Sequence, residues 1–340
     1  MAREIISICV PTYNGSKTIN KTLDSIIKNI NNARFNEEIE IILTDDCSMD
    51  DTFFILKEYA DKYKYVKIFR NEKNLGMDGN FKQVALNASG KYIWFSGQDD
   101  IFLDGVVDHV INSILNNQNI DIISINFSQY LEEKSKYICE SMLGLQAIYP
   151  EKINFDHDIL FNNAKEYFSF FNDVPSFLPA TIMRRDFWLT TNTDKYLGTY
   201  FIQYATILLN LNEAKILAIT KPLIRGLIPA IGWQTDGDKL FSIQLGAMKA
   251  KFLVFNDVRN PFPKEIFLDK KRFYLRRFLR MVIAANYYKF KLSKGNKDDL
   301  KMIYGKNLYY FYFLPIFKII KIIPHFLIKL LFSIKNFLID

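Results

Sequence analysis

Ile5-Ile-Ser-Ile-Cys-Val10 is a near-continuous apolar run, the pattern of a strand buried on both faces. It breaks at Pro11-Thr-Tyr-Asn14-Gly15, where every residue suits a turn. Beyond it Ile19, Leu23, Ile26, Ile27 and Ile30 recur at helical spacing, with Ser16 placed to cap that helix. Ile39–Leu43 reads as a second strand. Asp50-Asp-Thr52 starts a second helix with Phe54, Leu56 and Tyr59 among its apolar positions, and Tyr65–Phe69 is a short third strand. Asn74-Leu-Gly76 predicts a turn into a helix from about Gly79 to Ala88, closed by Ser89-Gly90. Tyr92–Ser96 is the fourth strand, followed by a helix over Asp104–Leu115 and a strand over Ile120–Phe127. This β-α-β-α-β-α-β-α-β succession predicts an α/β fold, a mostly parallel central sheet flanked by helices.

From about 131 to 230 the pattern is less regular. Phe177–Met183 is apolar, Arg184–Trp188 opens a helix, and Thr199–Asn212 reads as another. Lys239–Phe255 reads as a helix after the loop Gly232–Gly237. Asn260-Pro-Phe-Pro263 interrupts the pattern, which suggests a domain over 1–260, in halves 1–130 and 131–260, and an extension over 261–340.

Charge sharpens that division. Residues 264–340 hold 17 Lys/Arg against 5 Asp/Glu, which leaves residues 1–263 with 27 basic and 32 acidic. A basic tail on a mildly acidic body calls for an anionic partner. The tail is also strongly apolar, which favours a membrane surface over nucleic acid. Within 309–333, His325 and Lys329 each fall within about 20° of Lys318 on a helical wheel, with Lys321 about 60° from it. A spanning helix would carry each of those lysines at about 2.5–3.5 kcal/mol. A helix lying in the interface, interrupted by Pro315 and Pro324, fits better. Lys270–Arg280 adds a second basic, aromatic segment. The alternatives are helical packing on the body or a homodimer interface. Cys9, Cys47 and Cys139 have no metal-ligand or disulfide spacing, and the first residues lack a signal-peptide pattern. The expectation is a cytoplasmic protein, peripheral on the inner face of the cell membrane.

Two acidic pairs carry the chemistry. Asp45-Asp46 ends the second strand and Asp99-Asp100 follows the fourth. Open α/β sheets bind ligands beyond the carboxyl ends of their strands, so two such pairs on neighbouring strands would face each other there. Tyr13 with a nearby carboxylate suits a nucleobase, the ring stacking and the carboxylate accepting an imide N–H. The bland reading of Asp45, Asp46 and Ser48 is a turn that caps the next helix. At the second pair, two carboxylates suit Mg²⁺ or Mn²⁺ on a diphosphate, the bland reading being a solvated turn.

Pro11-Thr-Tyr-Asn14, Thr44-Asp-Asp-Cys-Ser48, Asn74-Leu-Gly76 with Asn80, Ala88-Ser-Gly90 and Gly97-Gln-Asp-Asp100 occur in this order. Together they resemble a family 2 glycosyltransferase with the Rossmann-like GT-A fold, in its abequosyltransferase-like branch of bacterial surface-polysaccharide enzymes. The resemblance implies a metal-dependent, inverting transfer from a nucleotide-diphosphate sugar to a saccharide acceptor, lipid-linked in this branch. It assigns Pro11 (through its backbone), Tyr13, Asn14, Asp46, Asn74, Gly76 and Asn80 to the nucleotide, and Asp99 to Mn²⁺ or Mg²⁺ with Asp100 beside it. Gly97 stands where the family has the first aspartate of Asp-x-Asp. Where the family has its acidic general base, Tyr196–Tyr204 offers Gln203, which accepts no proton. Asp194 is the nearest upstream carboxylate and the candidate base; Glu213 and Asp173 are the others.

Remaining residues read mainly as structural: His109 at a helix surface or interface, His157 without a partner at ligand spacing, and Arg184 and Arg185 at a solvated helix start more than on a diphosphate or acceptor, while Trp233 reads equally as a platform over the sugar or as core. A sugar-phosphate nucleotidyltransferase would need a Gly-rich basic loop where Pro11–Gly15 stands. A catalytically degenerate assembly partner is the other alternative.

Overall fold

The computed structural model describes residues 5–34, 36–117, 119–132, 135–143, 147–148, 153–154, 156–228, 237–261, 263–268, 272, 282 and 293–317. The chain forms two compact units, residues 1–197 with 202–228, and residues 198–201 with 229–340.

The first unit is built on a ten-stranded sheet. In chain order it holds β1 (Ile6–Thr12), α1 (Ile19–Asn32), β2 (Ile39–Asp45), α2 (Thr52–Lys62), β3 (Val66–Arg70), α3 (Gly76–Leu86) and β4 (Tyr92–Phe95). There follow β5 (Asp100–Phe102), α4 (Val106–Asn116), β6 (Ile122–Leu131), β7 (Lys136–Cys139), β8 (Ile159–Phe161) and α5 (Ala164–Phe170). It closes with β9 (Thr181–Arg184), α6 (Arg185–Thr190), α7 (Ile202–Leu209) and β10 (Ile216–Ile228). The order is β3-β2-β1-β4-β9-β6-β10-β5, with β7 beside β6 and β8 beside β10. β1 to β4 are mutually parallel, and every residue of β1 and β2 is buried. Ile8, Val10, Leu23, Ile26, Ile41, Leu43, Trp94 and Val110 belong to one core between sheet and helices.

The predicted α/β class holds, and several local expectations change. β1 stands between β2 and β4, so the two acidic pairs flank it instead of occupying neighbouring strands. β4 and β6 are separated by β9, which runs antiparallel to both. The second acidic pair is not wholly a turn, because Asp100 starts β5, paired with Gly226 of β10. β10 itself was not anticipated; its Pro222 falls where the β6 register shifts between Ile219 and Ile224, a bulge that tolerates a missing N–H. Ser16 caps nothing: α1 begins at Ile19 after Thr18, without a side-chain cap bond. α3 starts three residues early, at Gly76, and α7 is shorter than predicted at both ends. Phe54 is 68% exposed, and α2 buries only Thr52 and Leu56.

In the second unit, α8 (Gly237–Phe255) and α9 (Lys294–Tyr304) are joined by Lys249–Asp299 at 3.0 Å and by Ser242 Oγ to Asn296 Oδ1 at 3.3 Å. Ser293 caps α9 by accepting from Asn296 N. The predicted interfacial stripe of Lys318, Lys321, His325 and Lys329, the loop with Trp233, and Lys270–Arg280 apart from Arg272 lie outside the described residues. Among the described residues no helix is long and apolar enough to cross a membrane.

Candidate active site

Four loops meet at the carboxyl rim of β1, β2, β3 and β4. Pro11 and Thr12 are still in the β1–β2 ladder, opposite Thr44 and Asp45. The chain then turns at Asn14, whose φ of 48° is one that asparagine tolerates. Asn14 N donates to Ser48 Oγ at 2.9 Å and Asn14 Oδ1 accepts from Met49 N at 3.0 Å. Gly15 N donates to Thr52 Oγ1 at 2.8 Å, and Ser16 N to Asp50 Oδ2 at 3.2 Å. Burial would raise the Asp50 carboxyl, but these donors from Thr52 and Ser16 outweigh it and bring it to about 2. The Tyr13 ring is left 40% exposed above this braced loop.

Asp45 and Asp46 are buried and bonded. Asp45 Oδ2 accepts from Ser48 N and from Arg70 Nε, both at 3.1 Å, and Arg70 lies over the Phe53 ring. Asp46 Oδ1 accepts from Asn71 Nδ2 and Leu75 N, both at 2.8 Å, and Oδ2 from Gly76 N at 3.0 Å. Asp46 thus sits on the positive end of α3. Gly76, at φ +76°, also donates to Asn74 Oδ1, an Asx turn that opens the helix early. Asn80 Nδ2 reaches both Thr12 O and Thr44 O at 3.2 Å and clamps the ends of β1 and β2. The expected nucleotide residues are therefore gathered around one rim.

Asp99 and Asp100 are built otherwise. Asp100 is 4% exposed, and Oδ2 accepts from Gly97 N at 3.0 Å. Burial raises both carboxyls, and for Asp100 the neighbouring Asp99 charge adds to the rise. Gly97 explains its own departure from the family motif. A Cβ there would stand 2.5 Å from Asp100 Oδ2 and 3.1 Å from Asp99 Oδ1, so an aspartate at 97 would displace the pair. A divalent cation fits these residues, since it relieves the repulsion of a buried carboxylate and its half-buried neighbour. Among the described residues no group of three or more His, Cys, Asp or Glu could hold a metal.

The base candidates separate by position. Asp173 is buried, its Oδ1 taken by Tyr204 Oη at 2.5 Å. Glu213 lies just before β10, at the amino edge of the sheet. Asp194 is 69% exposed in its side chain and paired with Lys82 Nζ at 2.5 Å. Gln203, in the first turn of α7, is buried with Oε1 unpartnered among the described residues. Asp78 of α3 fixes that turn by accepting from Ile202 N at 3.3 Å, a link no sequence pattern announces. Arg184 pairs with Asp121 and Asp186 and faces Tyr92, at the end of β4 away from the rim. His109 Nε2 lies 2.7 Å from Asp158 Oδ2, an α4 surface contact.

Sheet order, helix layers and an acid-lined rim define an α/β enzyme of the GT-A type. The chain belongs to Glycosyl transferase family 2, whose family model matches residues 7–187. It is 28% identical over 231 residues to abequosyltransferase RfbV of Salmonella typhimurium, covering 65% of this chain and 66% of that protein. It is 32% identical over 120 residues to the minor teichoic acid biosynthesis protein GgaB of Bacillus subtilis, 35% of this chain and 13% of that protein. The matches thus span about two thirds or less of these relatives. Among solved structures, S. aureus TarS 1-349 in complex with UDP-GlcNAc superposes with a TM-score of 0.54 at 17% identity, covering 88% of this chain and 81% of that one. Mannosyltransferase PcManGT from Pyrobaculum calidifontis, in complex with GDP-Man and Mn²⁺, gives 0.54 at 13% identity, covering 98% and 82%. At these identities the likeness is one of fold.

Proposed function

We propose that the protein moves a sugar from a nucleotide-diphosphate sugar to a hydroxyl of a lipid-linked saccharide in bacterial surface-glycan synthesis, with inversion at the anomeric carbon. The observation that carries this reading is the Asp99–Asp100 pair, Asp100 buried and Asp99 half-buried, sparsely bonded and next to the rim that carries Tyr13 and Asp46. Relatives named for abequose transfer and teichoic acid synthesis support the surface-glycan setting. The UDP-GlcNAc and GDP-Man complexes of structural neighbours support a nucleotide-sugar donor.

In this reading the Tyr13 ring stacks on the base. Asp46 Oδ2, with the single donor Gly76 N, keeps acceptor capacity for an imide N–H. Asn74 and Gly76 shape the rim, while Pro11, Asn14 and Asn80 hold the β1 and β2 ends in place. Asp99 and Asp100 would hold Mn²⁺ or Mg²⁺, which when bound neutralises charge on the departing diphosphate. The acceptor oxygen attacks the anomeric carbon as the bond to the diphosphate breaks, and the hydroxyl proton passes to a carboxylate. Asp194 takes that proton by elimination, as the candidate that is neither buried like Asp173 nor at the far edge like Glu213. The basic segment beyond 264 would hold the enzyme against the anionic inner leaflet.

Donor hydrolysis with Mn²⁺ over a panel of nucleotide sugars tests this, with wild type beside Asp99→Ala and Asp194→Asn. Release of nucleotide diphosphate from one donor, lost in Asp99→Ala, is expected. Asp194→Asn should keep nucleotide binding and lose about 10²-fold in transfer once the acceptor is supplied. Silence across the panel, with no nucleotide-dependent thermal shift, would instead identify a non-catalytic assembly partner.

A further inference from the structure

The β1–β4 ladder stops at Cys9 and Phe95, with Ser96 N still donating to Cys9 O at 2.9 Å. Past that point β1 stays in register with β2 as far as Thr12, while the chain after β4 leaves the sheet. The Gln98 side chain spans the gap. Its Oε1 accepts from Tyr13 N at 2.9 Å, and its Nε2 donates to Tyr13 O at 3.2 Å. A residue that exchanges both its backbone bonds with one facing partner reproduces the hydrogen-bonded pair of an antiparallel ladder, here with a side-chain amide as the partner. The pairing also fixes which end of the amide is which, because Tyr13 N needs an acceptor and Tyr13 O a donor. Gly15 leaves the room: a Cβ there would stand 2.4 Å from Gln98 Oε1 and 2.7 Å from Cδ.

These are the only hydrogen bonds between residues 11–16 and residues 97–100 among the described residues. The first loop is otherwise braced against Ser48, Asp50 and Thr52 on its far side. The second holds itself together through Gly97 N and Asp100 Oδ2. Without Gln98, the two halves of a donor site that must grip one molecule at both ends would be set independently. A ligand would then have to order one loop against the other on binding, which weakens it.

We propose that Gln98 is a positioning residue that locks the Asp99–Asp100 loop to the Tyr13 backbone, so that a divalent cation on the carboxylates and a nucleotide at Tyr13 strengthen each other's binding. The proposal rests on the transferase reading and adds to it a coupling between two positions, which is reciprocal by linkage.

The test is calorimetric titration of the full chain with UDP, GDP, CDP and dTDP, with and without saturating MnCl₂. The variants are Gln98→Ala, Gln98→Glu, Gly15→Ala and the double variant Gly15→Ala/Gln98→Ala. Gln98→Glu keeps the shape and the acceptor for Tyr13 N but sets a carboxylate oxygen against Tyr13 O. Gly15→Ala retains Gln98 and displaces its amide; residue 15 has no left-handed φ, and the atoms met are the far end of a flexible side chain, so the variant should fold. In wild type Mn²⁺ should tighten nucleotide binding. Each single variant should cut that enhancement by about fivefold or more, with metal-free affinity and unliganded Tm close to wild type. The double variant should be no worse than Gln98→Ala, because the methyl added at position 15 then has nothing to displace. An enhancement equal to wild type in all variants would overturn the proposal, as would a joint fall in Tm and metal-free affinity that leaves the enhancement intact. Wild-type binding of none of UDP, GDP, CDP and dTDP would overturn the transferase reading, and this proposal with it.

Discussion

Asp45 and Asp46 meet the rim with five donors between them, from Ser48, Arg70, Asn71, Leu75 and Gly76. Asp99 and Asp100, on the other side of β1, have the backbone N–H groups of Asp99 itself and of Gly97. Both pairs are Asp-Asp at a strand end, and both are largely withdrawn from water. The first has its charge answered by protein dipoles and a guanidinium and so holds the rim together. In the proposed reading the second is left for a cation, because carboxylates withdrawn from water with few donors are held at a cost that a bound cation removes. Identical dipeptides at equivalent places can thus be divided into scaffold and site by counting what already donates to them.

Mutation should separate the two pairs. Asp99→Ala should lower kcat/KM by about 10³-fold, about 4 kcal/mol of transition-state stabilisation, and leave the Tm nearly unchanged; donor-hydrolysis kinetics beside a melting curve would show both. Asp46→Ala should act on stability as well. It strips three donors of their acceptor and should cost about 2–3 kcal/mol, read as a lower denaturation midpoint alongside weaker binding of the nucleotide. Glu40 serves as a scaffold carboxylate away from the rim. Burial alone would raise it, but Lys67, Ser7 and Ser89 outweigh burial and hold it below its usual value. A depressed folded pKa gives stability that is full above about pH 4.3 and is lost as pH falls through the lower folded value. Glu40→Gln should therefore cost about 1–2 kcal/mol at neutral pH and flatten the acid side of the stability profile. Asp100→Asn is the smallest and most diagnostic change. Removing one of two like charges should raise the metal-free stability by about 1 kcal/mol and abolish stabilisation by Mn²⁺. A fall in metal-free Tm would place Asp100 with the scaffold and erase the contrast.

The half built on β1 to β4 was legible because its inner strands are buried on both faces and their ends carry turn residues at recognisable spacing. β1, β2 and β4 fall within a residue or two of expectation, and the residues assigned to the nucleotide do converge. What escaped was set by partners far away in the chain. α3 begins at Gly76 because Asp46, thirty residues earlier, accepts its first N–H groups. β5 has three residues and exists only against β10, and β10 hides behind Lys221-Pro222, which reads as a break and is a bulge. No role for Gln98 could be read from the sequence, since a side-chain bond to a backbone 85 residues away leaves no periodic trace. Gly15 reads as an ordinary turn glycine in the sequence, and only its backbone, which has no left-handed φ, shows that the room for Gln98 is what needs it.

The place of β9 has a consequence in time. β4 presents its outer edge to Arg184, Met183 and Ile182, which follow it by about ninety residues. On a ribosome adding about 5–20 residues per second, that edge emerges roughly 4–18 s before its partner does. Through that interval a short, wholly apolar strand, Tyr-Ile-Trp-Phe, has open backbone donors and acceptors on a sheet otherwise ready to form. Nascent chains paused or truncated between the two strands should be the aggregation-prone species of this protein, and the ones that most depend on chaperones.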